Sequence, residues 1–320
     1  MKWRRDIRLK TTPHRVAMKR FEYRKVDGIL LLDKPVGLSS NATLQRARRL
    51  YRAAKAGHTG NLDPLASGLL PVCFGEATKI TPYLLNAGKR YQARIKLGER
   101  TATGDAEGEI IERRPVPRLD GAGVEGTLAG FCGERMQTPP MHSALKHQGR
   151  PLYKLAARGV TVERKSRAIT IKALNLLDFE GATLTIDVSC SKGTYIRVLA
   201  EEIGAALSTC AHLSALRRTE VQPFNLDGAV TLEMLDKRAE SGLTALDELL
   251  RPMDQALSIW PAVSLDERAA TLLRHGQRVT VPLEAGETVR IYGPAGGFLG
   301  MGEVAGGRLS SRRLLSNPGK

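Results

Sequence analysis

Residues 56–72 read AGHTGNLDPLASGLLPV, with one imidazole (His58) and one carboxylate (Asp63) on a stretch bent by Gly57 and Gly60 and stiffened by Pro64. Glycine permits turns and close backbone approach, whereas proline fixes one backbone angle. Two readings compete. An aspartate before a proline commonly starts a helix, Asp as cap and Pro at the first helical position. Alternatively, the carboxylate is held rigidly so that it can attack a substrate. A second oddity lies in KGTYIRVLAEEIGAAL, residues 192–207. Gly193 marks a turn, Thr194 is the expected cap, and Ile196, Leu199, Ala200, Ile203 and Leu207 recur as the buried stripe of a helix. Arg197 then falls in the first turn, where a cation opposes the helix dipole at a cost of up to about 1 kcal/mol. An arginine placed there suggests a compensating anion nearby.

The elements that must position these residues are legible in outline. GILLLDKP (28–35) is a short apolar run ended by Lys-Pro, read as a buried strand. Ser39 or Ser40 then caps a helix over about 41–54, with Leu44, Ala47, Tyr51 and Ala54 on one side. Its other side carries Arg46, Arg48, Arg49, Arg52 and Lys55 with no acid among them, which reads as an anion-facing surface. YQARIKL (91–97) alternates, with Tyr91 inward at the strand start, and TATGDAEGEI (101–110) follows as a turn-rich acidic loop. TLTIDVSCS (183–191) alternates in the same way. Strands are separated by hairpin-like loops as well as helices, which predicts an α+β fold on a mixed, largely antiparallel sheet with flanking helices. A two-proline connection, 250–263, leads to four short strand-like segments with glycine-rich turns, the pattern of a small C-terminal β-barrel. GPAGGFLGMG (293–302) reads as a hairpin, since no helix pattern follows it.

Composition narrows the function classes. The 320 residues carry a net charge of +16, which points to a polyanionic partner, nucleic acid before membrane. Residues 1–60 hold 16 Lys and Arg against 4 Asp and Glu, and residues 252–320 hold 8 against 6. The first 26 residues read as a mobile basic tail that either touches nucleic acid or is inert. They lack the apolar core of a signal peptide, and no apolar run reaches the ~20 residues of a membrane helix. Cys73, Cys132, Cys190 and Cys210 lie far apart with no C-x-x-C pair, so neither a zinc site nor another metal site is expected, and a reduced cytoplasmic protein is.

Taken together, GILLLDKPVGLSS, GHTGNLDPLASGLLPVCFGEATK, KRYQARIKLGERTATGDAEGEI, QTPPMHSALKHQGRPLYKLAARGV, CSKGTYIRVLAEEIG and AHLSALRRTEVQPF resemble, in order, the motifs of the TruB family of pseudouridine synthases, from about residue 27 to 224. The resemblance implies isomerisation of uridine 55 in the tRNA T loop, without a cofactor. It implies that Asp63 attacks the nucleoside, that Tyr91 stacks on the flipped uracil and helps the proton transfer, and that Arg197 pairs with Asp63, keeping it ionised and oriented. His58 would help to extrude the base, Asp105 would lie in the loop beside the site, Tyr195 shares the Arg197 motif, and Leu216 would line the uracil pocket. Lys34, Arg46, Arg49 and Lys146 are assigned to RNA contact. An insertion at about 138–167 would grip the RNA stem-loop, and His142 stands where relatives often carry tyrosine. If Asp63 is the anion that Arg197 needs, ion pair and dipole penalty offset, and Arg197 should carry little fold stability.

The domain reading is a basic tail (1–26), a catalytic domain (27–251) and a PUA-like RNA-binding barrel (252–320), acting as a monomer with tRNA as partner and no membrane or metal. The rivals are a guide-RNA-dependent pseudouridine synthase, against which the 138–167 insertion argues, and a tRNA-folding chaperone with catalysis secondary.

Overall fold

The structure is a computed structural model that describes residues 22–283 and 286–316. Residues 1–21, most of the basic tail, lie outside the described residues. The tail's last residues are docked: Arg24 forms an ion pair with Asp247, and Val26 is buried.

The chain opens with β1 (Gly28–Lys34) and α1 (Ser40–Leu50), followed by β2 (Ala56–His58) and β3 (Ala66–Phe74). The unbroken apolar run of β1 is explained by burial on both faces. Leu30 and Leu32 join Leu70, Val72 and Phe74 under α1, while Ile29 and Leu31 join Leu69 and Cys73 on the opposite face. Ser39, not Ser40, caps α1, accepting from Ala42 N. The helix ends earlier than its apolar spacing predicts, so Ala53 rather than Ala54 is buried.

Then come α2 (Thr81–Asn86), β4 (Lys89–Leu97), and the small hairpin of β5 (Glu99–Thr101) and β6 (Ile110–Arg113), which carries the acidic loop. β4 alternates strictly, with Lys89, Tyr91, Ala93, Ile95 and Leu97 inward. The strand begins two residues before Tyr91. α3 (Gly121–Ala129) and β7 (Gly133–Gln137) precede the 138–167 segment, which holds β8 (Lys146–His147), β9 (Arg150–Pro151) and α4 (Leu152–Ala156). Its ends are tied by Thr138 Oγ1 and Ser166 Oγ at 2.7 Å. β10 (Arg167–Glu180), β11 (Thr183–Cys190), α5 (Ile196–Ala206), β12 (Ala211–Val221) and β13 (Phe224–Asn225) complete the central sheet, and α6 (Leu232–Glu240) and α7 (Leu243–Asp247) cover its β1 end.

The sheet runs β1-β3-β12-β4-β11-β10-β7, with β2 and β13 attached to β3 and β12. All its pairs are antiparallel except β12 with β3. This is the mixed, largely antiparallel α+β sheet that the sequence pattern predicts. α3 and α5 pack on the β4–β11–β10 face through Val124, Leu128, Leu199 and Ile203.

A second sheet follows: β14 (Ala262–Ser264), then α8 (Glu267–Arg274), β15 (Val279–Thr280), β16 (Thr288–Tyr292), β17 (Phe298–Ala305) and β18 (Arg308–Leu314), in the order β14-β16-β17-β18-β15. The small C-terminal barrel takes the form of a curled half-barrel, since β14 and β15 at its ends do not pair. Residues 293–297 close the β16–β17 hairpin through Gly293 N to Gly297 O at 2.9 Å. Phe298, Met301 and Leu315 join the apolar cluster of β1, β3 and α2, so the two sheets share a core. Among the described residues no helix is long and apolar enough to cross a membrane.

Candidate active site

No helix follows Asp63-Pro64. The chain turns at 64–65 and enters β3 at Ala66, which removes the helix-start reading of this dipeptide. The loop between β2 and β3 is fastened at nearly every residue. Arg218 donates to Gly60 O and Asn61 O, each at 3.3 Å. Ser40 Oγ both donates to Leu62 O (3.0 Å) and accepts from Leu62 N (2.7 Å). Pro64 O accepts from Gly37 N at 2.8 Å. Asp63 is therefore presented by a clamped backbone, with 45% of its side chain still accessible.

Arg197 meets Asp63 at 3.1 Å from the first turn of α5 and also reaches Asp105 at 3.5 Å. It is itself buried and donates to Thr103 O (2.9 Å) and His142 O (2.6 Å). Asp105, also buried, accepts from Thr103 Oγ1 (2.5 Å) and Glu107 N (3.1 Å). Burial pushes the Asp63 carboxyl above the usual aspartate range and Asp105 adds to this, while Arg197 and Lys34 oppose it. α5 is not capped by Thr194 as expected. Tyr195 is the cap residue, and Thr194 Oγ1 donates to Ser191 O instead. Gln137 holds Tyr195 from both sides, accepting from its N–H (2.8 Å) and donating to its carbonyl (3.2 Å).

Asp63 and Arg197 open onto a pocket of about 380 Å³. Tyr91, Tyr195, Leu216, Lys89 and Arg218 supply much of its wall. Tyr91 comes from β4, in register with Arg218 of β12; Leu216, two residues before Arg218, is in register with Ala93 of β4 and Ala66 of β3. Burial raises the Tyr91 phenol, and the Arg218 charge opposes it. His58 sits at the end of β2, outside the pocket wall. Its Nδ1 is buried without a hydrogen-bond partner, and burial, then the Arg218 charge, lowers its pKa.

The cations assigned to RNA contact divide. Lys34 is 0% exposed and donates to Pro35 O, so it offers no free surface to a phosphate in this structure; its burial lowers its pKa to about 8. Arg46 is ion-paired with Asp236 of α6, and Arg48 is folded onto Ala53 O and Ala54 O, so only part of the expected anion-facing surface of α1 is available. Arg49 and Lys146 are exposed and make no ion pair among the described residues.

Comparison with known proteins is decisive about kinship. A profile described as "TruB family pseudouridylate synthase (N terminal domain)" matches residues 48–196, and TruB C-terminal profiles match 197–258 and 261–315. The chain is 52% identical to a tRNA pseudouridine synthase B of Nitrosococcus oceani over 93% of this chain and 97% of that one. It is 54% identical to the protein of the same name from Burkholderia lata over 91% of each. The chain belongs to the TruB family of pseudouridylate synthases. Its fold is shared with a protein in an H/ACA RNP bound to a substrate RNA containing 2'-deoxyuridine, at TM-score 0.70 and 25% identity, covering 91% of this chain and 86% of that one.

A TruB-family pseudouridylate synthase is an isomerase, and nothing in this site is out of keeping with that. Among the described residues no group of three His, Cys, Asp or Glu side chains could hold a metal ion. Sequence reasoning missed Ser40, Lys89, Gln137, Arg218 and the His142 carbonyl in this TruB site. Only Arg218 leaves a signal, since it falls two residues after Leu216 on the inward parity of β12.

Proposed function

We propose that the chain isomerises uridine 55 in the T loop of tRNA to pseudouridine, by base flipping and attack of Asp63, without a cofactor. The observation that carries this reading is the 3.1 Å contact between Asp63 and Arg197 at the mouth of a pocket walled by Tyr91 and Leu216. The curated relatives named tRNA pseudouridine synthase B supply the substrate class.

The reaction breaks the bond from the ribose to uracil N1, turns the base and rejoins it through C5. Atoms are conserved and nothing is oxidised, so the site needs a nucleophile, a wall for the detached base and an acceptor for the C5 proton. Asp63 is the nucleophile: Arg197 favours its ionised form, and the clamped loop limits its motion. Tyr91 presents a ring to the base face and a hydroxyl for proton transfer, and Leu216 closes the wall. Tyr91 in the wall of this pocket is only 8% exposed, so a nucleotide must leave its stack to lay its base on that ring. In this reading His58 occupies the vacated space, and Tyr195 and Asp105 hold the site's frame.

The 138–167 segment grips the stem-loop through exposed cations such as Lys146, together with Arg49 on α1. The catalytic unit is 27–251, the half-barrel from 252 onward is a PUA-like RNA-binding unit, and the chain acts as a cytoplasmic monomer. The likeness to an H/ACA RNP protein keeps a guide-RNA-dependent reading in play. The test is to incubate the purified chain, with no other RNA, with an unmodified tRNA transcript and map pseudouridine. Modification confined to position 55 supports the proposal. Modification only when a guide RNA is added transfers the chain to the other reading.

A further inference from the structure

The last residues of the basic tail are fastened to the end of α1. Arg24 N donates to Arg52 O at 2.7 Å, and Ala54 N donates to Arg24 O at 2.9 Å. The Arg24 guanidinium pairs with Asp247, and Val26 is buried in the same apolar cluster as Ala47 and Ala53. Arg48 of α1 lies over the Tyr23 ring, 5.0 Å from its centre. These contacts fix the point at which residues 1–21 join the rest of the chain. Ala54 stands four residues before His58, and four residues span at most about 14 Å. The tail therefore joins close to the end of β2, from which the chain enters the Asp63 loop.

Residues 1–21 hold eight Lys and Arg against Asp6 alone, so +7 of the net +16 lies there. The surface around the junction is basic as well. Lys25, Arg49 and Lys55 are exposed. Of the acids close by in sequence or contact, Asp247 is taken by Arg24, Asp27 accepts from Glu76 N at 2.6 Å, and Glu22 is exposed. Repulsion between like charges turns the tail away from this surface, while the two together make a strong field of one sign for a polyanion.

We propose that residues 1–21 and the end of α1 act as one surface for the tRNA backbone, the tail's cations meeting phosphates of the stem that carries the T loop. The inference rests on the proposed reading of the Asp63 pocket as the place where the T-loop uridine enters. It decides the question that composition leaves open, whether the tail touches nucleic acid or is inert. An anionic membrane would satisfy the same charge. RNA is favoured by the place of the junction, since in that reading the T loop lies against His58 and brings its stem phosphates to this side of the molecule.

The test combines Lys2→Gln, Arg4→Gln, Arg5→Gln, Arg8→Gln and Lys10→Gln in the full chain and measures binding of an unmodified tRNA transcript against salt. Each phosphate contact contributes about one to the slope of log affinity on log salt, so the slope should shrink by roughly two to five, and affinity near physiological salt should fall about tenfold or more. Hydroxyl-radical footprinting locates the contacts: the backbone protections that the variant loses should lie on the T stem. An unchanged slope overturns the proposal, and so do lost protections confined to another arm of the tRNA, which would mean that the cations act only as diffuse charge. Binding to vesicles of phosphatidylcholine and phosphatidylserine is measured alongside. Loss of vesicle binding with the tRNA slope unchanged assigns the tail to a lipid surface and overturns the proposal as well. Neither binding nor footprint requires turnover, so both can be read in Asp63→Asn, and mapping of pseudouridine with the parent chain tests the underlying reading separately.

Discussion

Arg197 stands 3.1 Å from Asp63 and, on its other terminal nitrogen, 3.5 Å from Asp105, so a single buried guanidinium holds two carboxylates and two backbone carbonyls. The sequence argument, that Arg197 carries little stability because its ion pair only offsets a dipole penalty, misses this second set of partners. Arg197→Met would strand the buried Asp105 carboxylate and the carbonyls of Thr103 and His142. Breaking a buried pair costs roughly 3–5 kcal/mol. Thermal unfolding and turnover of the variant should therefore both collapse. A near-normal melting temperature would show that Asp105 and the two carbonyls find other partners.

Asp63→Asn should leave the fold as stable as before or slightly more so. The folded state binds a proton at Asp63 more tightly than the unfolded chain does, because burial outweighs Arg197. Ionisation at neutral pH therefore costs stability, and the neutral amide relieves that cost. For the same reason activity should fall on acidification at a pH above that of an ordinary aspartate. Melting curves at pH 7 and a pH–rate profile check both; a marked drop in melting temperature contradicts the first.

Lys34 works in the opposite direction. Its folded pKa of about 8 lies below its usual 10.5, so between these values the unfolded chain holds a proton that the folded one does not, and stability should rise with pH across that window. Lys89, also lowered to about 8, adds to the same rise. Lys34→Met should flatten part of it and leave tRNA affinity unchanged. Denaturant titrations at pH 7.5 to 10.5 measure it (roughly the span between the two states), and reduced affinity would restore the RNA-contact assignment.

Ser40→Ala removes one hydroxyl and orphans both backbone groups of Leu62, the residue before Asp63. Stranded buried groups cost about 1–3 kcal/mol. Turnover should fall by about tenfold or more, as a small misplacement of a reacting group costs, with tRNA affinity retained. Unimpaired turnover would mean that Arg197 and Arg218 suffice to hold the loop.

tRNA binding should weaken log-linearly with salt, and the slope should shrink by about one for each phosphate contact removed. Arg49→Ala and Lys146→Ala should each show that change. Arg46→Ala should show less, because Asp236 already neutralises Arg46. Equal effects of all three would mean that RNA breaks the Arg46–Asp236 pair.

What could be read in advance follows from what leaves a periodic or compositional trace. β4, β11, α1 and α5 alternate or repeat at their own period, β1 stands out as an unbroken apolar run, Arg197 is a misfit in a helix's first turn, and Asp63 is picked out by its motif rather than by its local pattern. The supports of the site left no such trace. Ser40 binds a backbone 22 residues away, Gln137 binds one 58 away, and Arg218 spans 149 residues to Leu69. Such contacts depend on which strands become neighbours, and β12 lies parallel to β3 only through a long crossover. Arg46 looked free for the same reason, since its partner Asp236 is 190 residues distant. Lys34 is assigned to RNA contact on its charge, whereas the β1 end of this sheet is covered on both faces and buries it, which no local pattern announces.

The most direct test is single-turnover pseudouridine formation at position 55 of an unmodified tRNA transcript by the parent chain and by Asp63→Asn, with tRNA affinity measured alongside. The account predicts rapid formation by the parent, none above background by the variant, and equal affinities. Pseudouridine formed by Asp63→Asn at a rate near the parent's would contradict it.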